Sequence, residues 1–239
     1  MNTKGPFNYA SIQAGYYDEV FHRRKGPQSK WHHLKFAHVA SLMKGARSHL
    51  DIGCGPGTFI GLLPPGVKST GIDIAEDQIA FAGSRYGTDG RRFVRIDSLQ
   101  RLPFEDGCFD VVTAVEFIEH LSTADTSAML KECLRVLRPG GRIILTTPNY
   151  ASLWPALEFV LNRVSPVSYE DQHISQYMPS KASAMLKEVG FSGVEAAAFL
   201  FTAPFWAVLN WGFSDRVNAM ESGLARHCGF LLFAQGVKP

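Results

Sequence analysis

Short apolar runs recur along the chain at 50–52, 67–72, 93–96, 109–115, 142–146, 194–199 and 230–235, and their length and bounding turn residues predict strands. The run at 109–115 is nearly unbroken, which a central parallel strand covered on both faces requires. Between the runs the spacing changes to that of helices. Phe36, Val39, Ala40 and Met43 fall at i, i+3, i+4 and i+7; Leu130, Cys133, Leu134 and Leu137 repeat the pattern, as do Ala182, Met185, Leu186 and Val189. Pro64-Pro65-Gly66, Arg138-Pro139-Gly140-Gly141 and Gly190 are expected to stop helices. Strands alternating with helices imply an α/β fold with a parallel sheet and right-handed crossovers. Residues 150–177 interrupt the alternation. There Leu153, Leu157, Val160, Leu161 and Val164 predict an inserted amphipathic helix, broken by Ser165-Pro166 and placed to cover a substrate.

The chain is organised around residues 50–59, where an apolar run carrying Asp51 meets glycines at Gly53, Gly55 and Gly57 and then a helix. Such a turn is a ligand site, because glycine admits backbone conformations closed to other residues and the helix start presents unpaired N–H groups. A dinucleotide fingerprint would put its third glycine at the position of Thr58, and Asp51 would repel a pyrophosphate. A ligand bearing an ammonium group suits Asp51. The stretch resembles the cofactor loop of the seven-strand S-adenosylmethionine-dependent methyltransferases, whose ligand carries both an ammonium and a sulfonium. That resemblance implies a doubly wound, mostly parallel seven-strand Rossmann-like sheet with an antiparallel last strand and helical lid segments. It also implies one methyltransferase domain over 1–239: a lid at 1–45, a cofactor core at 46–149, a substrate-covering insertion at 150–178 and a sheet-completing part at 179–239.

Ligands of such sheets bind beyond the carboxyl ends of the strands. Asp73, ending the second strand, is the expected ribose ligand, with Ile74 along the adenine and Gln78 on the following helix. In the resembling family an Asp at the position of Asp97 accepts from the adenine amine while the neighbouring backbone, here Ser98 and Leu99, binds the ring. The turn residues Gly53, Cys54, Gly55 and Gly57, and the backbone near Glu116, complete the expected cofactor contacts. Lys30, Trp31, His32, His33 and Lys35 form either a solvated basic surface or a lid. Gly26-Pro27-x-x-Lys30-x-x-x-Leu34-Lys35 is similar to a lid segment of ubiquinone-pathway methyltransferases, which implies that Lys35 meets the cofactor carboxylate.

Glu116, Glu119 and His120 stand at i, i+3 and i+4 and would converge on one side of a helix, a ligand set for a divalent ion such as Mg2+. The Glu-x-x-Glu-His string resembles both the ubiquinone-pathway O-methyltransferases and the small-RNA 2′-O-methyltransferases, and His173 matches their second His. Alternatively His120 is a general base on a substrate hydroxyl, with Glu116 at the cofactor and no metal. The implied activity is methylation of a small-molecule hydroxyl: a phenol, a catechol-like ring or a diol. Metal-free N- or C-methylation, an NAD-dependent oxidoreductase and a catalytically silent binding module are the rival readings.

Composition changes this picture little. With 239 residues, 46% hydrophobic, 19% charged and a net charge of +2, the chain reads as an ordinary soluble globule with no broad electrostatic reason to bind nucleic acid. Four separated cysteines without a Cys-x-x-Cys pair, and a polar start lacking a secretory core, lead to the expectation of a cytoplasmic protein. The uncharged span 196–213 has the length of a membrane helix, but Pro204 and Asn210 interrupt it and its start is needed as a strand. Its aromatic residues Phe199, Phe201, Phe205, Trp206 and Trp211 exceed what one strand buries. They imply a core layer or homodimer face ahead of a substrate pocket or peripheral membrane contact, so monomer and homodimer both stay open.

Overall fold

The computed structural model describes residues 13–164 and 173–239. Two helices, α1 (Tyr16–Arg23) and α2 (Gly26–Leu42), precede the sheet. Then come β1 (Ser48–Ile52), α3 (Thr58–Leu62), β2 (Lys68–Asp73), α4 (Glu76–Tyr86), β3 (Arg91–Arg95) and β4 (Phe109–Val115). A 3-10 turn (Ile118–His120), α5 (Thr123–Val136), β5 (Leu137–Pro148), α6 (Trp154–Val164), α7 (Pro179–Val189) and β6 (Ser192–Phe199) follow. A 3-10 segment (Ala203–Val208), α8 (Trp211–Cys228) and β7 (Leu231–Val237) complete the chain. The strand order is β3-β2-β1-β4-β5-β7-β6, with β7 antiparallel to both neighbours, as the resemblance implies. The order reverses between β1 and β4, and a crevice opens there at the carboxyl ends.

The core lies against the central strands. Leu50, Ile52, Val112, Ala114, Ile143 and Leu145 are buried, packed with Met129, Leu130 and Cys133 of α5. The expected helix through Leu137 ends one residue earlier, because Leu137 already pairs with Phe109. The Arg-Pro-Gly-Gly stretch is therefore an irregularity inside β5 rather than a loop outside it. Arg138 there meets Asp110 at 2.6 Å, and the Lys238 ammonium donates to the Leu137 carbonyl.

Three other expectations change. Ala40, assigned to the apolar face of α2, is exposed, while Lys30, His32 and Lys35 are buried, so the basic run packs inward and the solvated-surface alternative falls. Lys30 is accommodated by Asp215 at 2.6 Å and by the Trp211 ring at 4.3 Å. Leu157 and Leu161 of α6 face the crevice, whereas Val160 and Leu153, the residue before the helix, are exposed. The break at Ser165-Pro166 lies outside the described residues. The uncharged span divides: Phe199 enters the core, Phe205 reaches the crevice, and Trp206 and Phe213 pack edge to face on the surface. Among the described residues no helix is long and apolar enough to cross a membrane.

Candidate functional site

The turn after β1 is shaped by steric demand. Gly53 has φ of 69° and a Cβ there would lie 2.1 Å from the Phe117 ring; Gly57 has φ of 75° and would meet Phe93 at 2.6 Å. At Gly55 an added Cβ would meet nothing within 4 Å, so the backbone is bare toward open space. Asp73 holds the turn in place, its two carboxylate oxygens accepting from the N–H groups of Gly55 and Ala75, each at 2.9 Å. Thr58 donates to the buried Asp18 at 2.8 Å, which ties α1 to the start of α3.

These elements enclose a cavity of about 530 Å³ whose walls include Lys35, Asp51, Gly53, Cys54, Gly55, Asp73, Ile74, Gln78, Glu116, Glu119, His120 and His173. That volume suits a nucleoside-sized ligand with a small second molecule. Gly57, Asp97, Ser98 and Leu99 do not line it. Asp97 lies on the surface, paired with Arg95 at 2.9 Å, because β3 is an edge strand whose end reaches solvent. The apolar wall joins Tyr17 of α1, Trp31 of α2, Trp154 of α6 and Phe205 of the second 3-10 segment, and of these the sequence reading missed Tyr17 and Trp154. The lid segment holding Trp31 and the aromatic excess near 205 hinted at it, but no local pattern joined them to the other two.

Burial governs the charges. Asp51 accepts a 2.5 Å hydrogen bond from Thr113 yet is pushed up to about 7 by desolvation, with Asp73 adding to the rise. Desolvation also raises Asp73. A cationic ligand group would relieve both carboxyls.

Glu116 departs from its expected place. Its φ of 50° is left-handed, which turns the chain sharply off β4 before the 3-10 segment, so it does not form one helical face with Glu119 and His120. Its carboxylate instead pairs with Lys35 and accepts from Trp31 Nε1 at 3.5 Å. The clustered ligand atoms are those of Glu119, His120 and His173, all within 4.8 Å of one another. His173 reaches them because Ser175 donates through its N–H to the Glu119 carbonyl and through its hydroxyl to that of Leu121.

The donor chemistry of this cluster fits a cation. Glu119 is buried and pushed up to about 7 by desolvation, and neither its Oε2 nor Thr147 Oγ1 has a partner of ordinary geometry among the described residues. His173 Nδ1 lies 2.5 Å from Glu158 and 3.0 Å from the Tyr150 hydroxyl, the outer support that orients a ligating imidazole. Burial pulls the His173 imidazole down, but the Glu158 hydrogen bond and the carboxylates of Glu119, Glu158 and Glu116 together raise it.

Comparison with known proteins agrees with this geometry. Residues 50–145 match the model of the methyltransferase domain family. The chain is 30% identical over 179 residues to a ubiquinone biosynthesis O-methyltransferase of Marinobacter nauticus, covering 71% of this chain and 73% of that one. It is 36% identical over 118 residues to a 37.1 kDa protein of transposon TN4556 from Streptomyces fradiae, where the match takes in 46% of this chain but spans only 34% of the relative. The fold is similar to that of a Thermotoga maritima SAM-dependent methyltransferase, a possible histamine N-methyltransferase, with a TM-score of 0.67, 18% identity and coverage of 93% and 94% of the two chains.

Proposed function

The chain belongs to the class I S-adenosylmethionine-dependent methyltransferases, and from that premise we propose that it methylates a hydroxyl group of a small molecule, with a divalent ion held near the acceptor by Glu119, His120 and His173. The observation carrying this reading is the buried Glu119 carboxylate clustered with two imidazoles, their ligand atoms within 4.8 Å of one another on the cavity wall. The Marinobacter relative's name, an O-methyltransferase, supports the choice of acceptor atom.

The sulfonium supplies a methyl group whose leaving group is already activated. The chain must therefore hold the cofactor, align the acceptor oxygen, take its proton and exclude water. Asp51 would face the cofactor ammonium, Asp73 the ribose and Ile74 the adenine ring, a reading supported by their shared position in the cavity wall beside the glycine turn. Lys35, now paired with Glu116, is positioned to exchange that partner for the cofactor carboxylate. Trp31, Trp154, Leu157, Leu161 and Phe205 present an apolar wall suited to an aromatic or hydrocarbon acceptor. In the metal-free alternative His120 would instead receive the hydroxyl proton. A bound ion would lower the pKa of that hydroxyl. With two nitrogens and one carboxylate as donors, the set favours a borderline ion such as Fe2+ or Zn2+ over Mg2+.

Cell extract incubated with the protein and deuterated-methyl cofactor, followed by mass spectrometry, tests the activity: a labelled ether is expected, and a labelled amine would overturn the acceptor. Elemental analysis of the purified protein tests the ion. A stoichiometric transition metal that Glu119→Ala loses is expected, and turnover unchanged by both EDTA and that substitution would overturn the metal reading.

A further inference from the structure

His49 is fully buried in β1, within the sheet and beside the cofactor turn, and no role assigned above uses it. In the parallel register it stands opposite Ser69 of β2, while Asp51, two residues on, stands opposite Thr113 of β4. Residues i and i+2 of a strand share a face. The side chains accordingly form a continuous chain: Ser69 Oγ to His49 Nδ1 at 3.2 Å, His49 Nε2 to Thr113 Oγ1 at 2.8 Å, and Thr113 Oγ1 to Asp51 Oδ1 at 2.5 Å. The Phe59 ring of α3 meets the imidazole edge to face at 5.9 Å.

A β-branched apolar residue would fill a buried strand position without any polar atoms to satisfy. Two ring nitrogens there require two partners, and both are present. The chain ends on the one carboxylate that faces the cavity from β1.

We propose that His49 is a positioning residue for cofactor recognition: acting through Thr113, it orients the Asp51 carboxylate toward the ammonium group of S-adenosylmethionine, and its tautomer follows the charge on Asp51. The inference rests on the methyltransferase reading and on Asp51 as the ammonium ligand. Hydrogen-bond polarity supplies the reason. When Asp51 is ionised it can only accept, so Thr113 donates to it, His49 donates to Thr113 from Nε2, and Ser69 donates to Nδ1. When Asp51 carries a proton it can donate, and in the proposed state the order reverses: Asp51 donates to Thr113, Thr113 to Nε2, and Nδ1–H to Ser69. One proton added at the Ser69 end thus leaves one on Asp51, and the imidazole is neutral in both states. Burial supports that neutrality, holding His49 down to about 3. Asp73 is the like charge felt at Asp51 and favours its protonated state until a cation arrives, while burial and both carboxylates raise the neighbouring Cys54 thiol and keep it neutral.

Long-range proton–nitrogen NMR of the histidine rings in the unmodified chain reads the tautomer directly. The His49 ring is expected as the Nε2–H form with S-adenosylhomocysteine bound and as the Nδ1–H form in the ligand-free protein at pH 5.5. The same form in both states would overturn the proposal. In parallel, affinities of Thr113→Val and His49→Val for S-adenosylmethionine and for 5′-methylthioadenosine, which lacks the ammonium, separate positioning from folding. Thr113→Val is expected to weaken S-adenosylmethionine about tenfold and methylthioadenosine hardly at all. Equal losses for both ligands, or no loss, would sink the positioning role. Failure of the unmodified chain to bind S-adenosylmethionine would sink the underlying cofactor reading instead.

Discussion

Replacing Asp51 by Asn should move stability and cofactor affinity in opposite directions. The carboxyl is buried and held up to about 7 against an ordinary 3.8. Between those pH values the native state keeps a proton that the unfolded chain has released, so this group's contribution is complete below pH 3.8 and lost as pH rises through 7. At 1.36 kcal/mol for each pH unit between the two values, the ionised carboxylate costs the ligand-free protein at most about 4 kcal/mol above pH 7. Asn keeps the oxygen that accepts from Thr113 and carries no charge. The ligand-free Asp51→Asn protein is therefore expected to be more stable than the parent at pH 8, by about 1 to 4 kcal/mol, and nearly equal to it at pH 4. Urea unfolding from pH 4 to 8.5 measures this. Glu119, also near 7, gives a slope of the same sign, so the difference between parent and variant isolates Asp51. In calorimetry the parent should release a proton on binding S-adenosylmethionine at pH 6, seen as an enthalpy that depends on the buffer, and the variant should bind at least tenfold more weakly. A variant destabilised equally at every pH, or one that binds the cofactor as tightly as the parent, would refute the reasoning.

Lys35→Met keeps the buried stem and removes the charge that pairs with Glu116; cofactor Kd should rise about 10- to 100-fold, the worth of a charge-assisted hydrogen bond, and unchanged calorimetric affinity would exclude the role. Glu158→Gln leaves the hydrogen-bond reach to His173 but removes its charge, so metal affinity by competition with a chelator should fall about 10- to 100-fold with little change in cofactor affinity. Gly57→Ala forces a methyl group to 2.6 Å from the Phe93 ring at a left-handed φ; a loss of about 1 to 3 kcal/mol is expected by urea unfolding, and a neutral result would mean the turn is looser than its geometry implies.

The parts legible in the chain were those set by near neighbours. Strand and helix periodicity, the glycine spacing before Thr58 and the acid at Asp51 each express a requirement met within a few residues, and the sheet follows from their alternation. Helix α8 escaped that reading because its faces are mixed: only Ser214 and Ala225 are buried along it. Tertiary structure alone decided which charges meet. Lys30 is partnered by Asp215, 185 residues away; Lys35 by Glu116; and His173 is carried to Glu119 by a segment that hydrogen-bonds back to the turn after β4. Asp97 shows the converse, a strand-end acid left in solvent because its strand is at the sheet edge. The physical reason is common to all of these. Local pattern reports which side of an element is apolar, whereas a buried charge is tolerated only where packing delivers its counterpart from elsewhere in the chain.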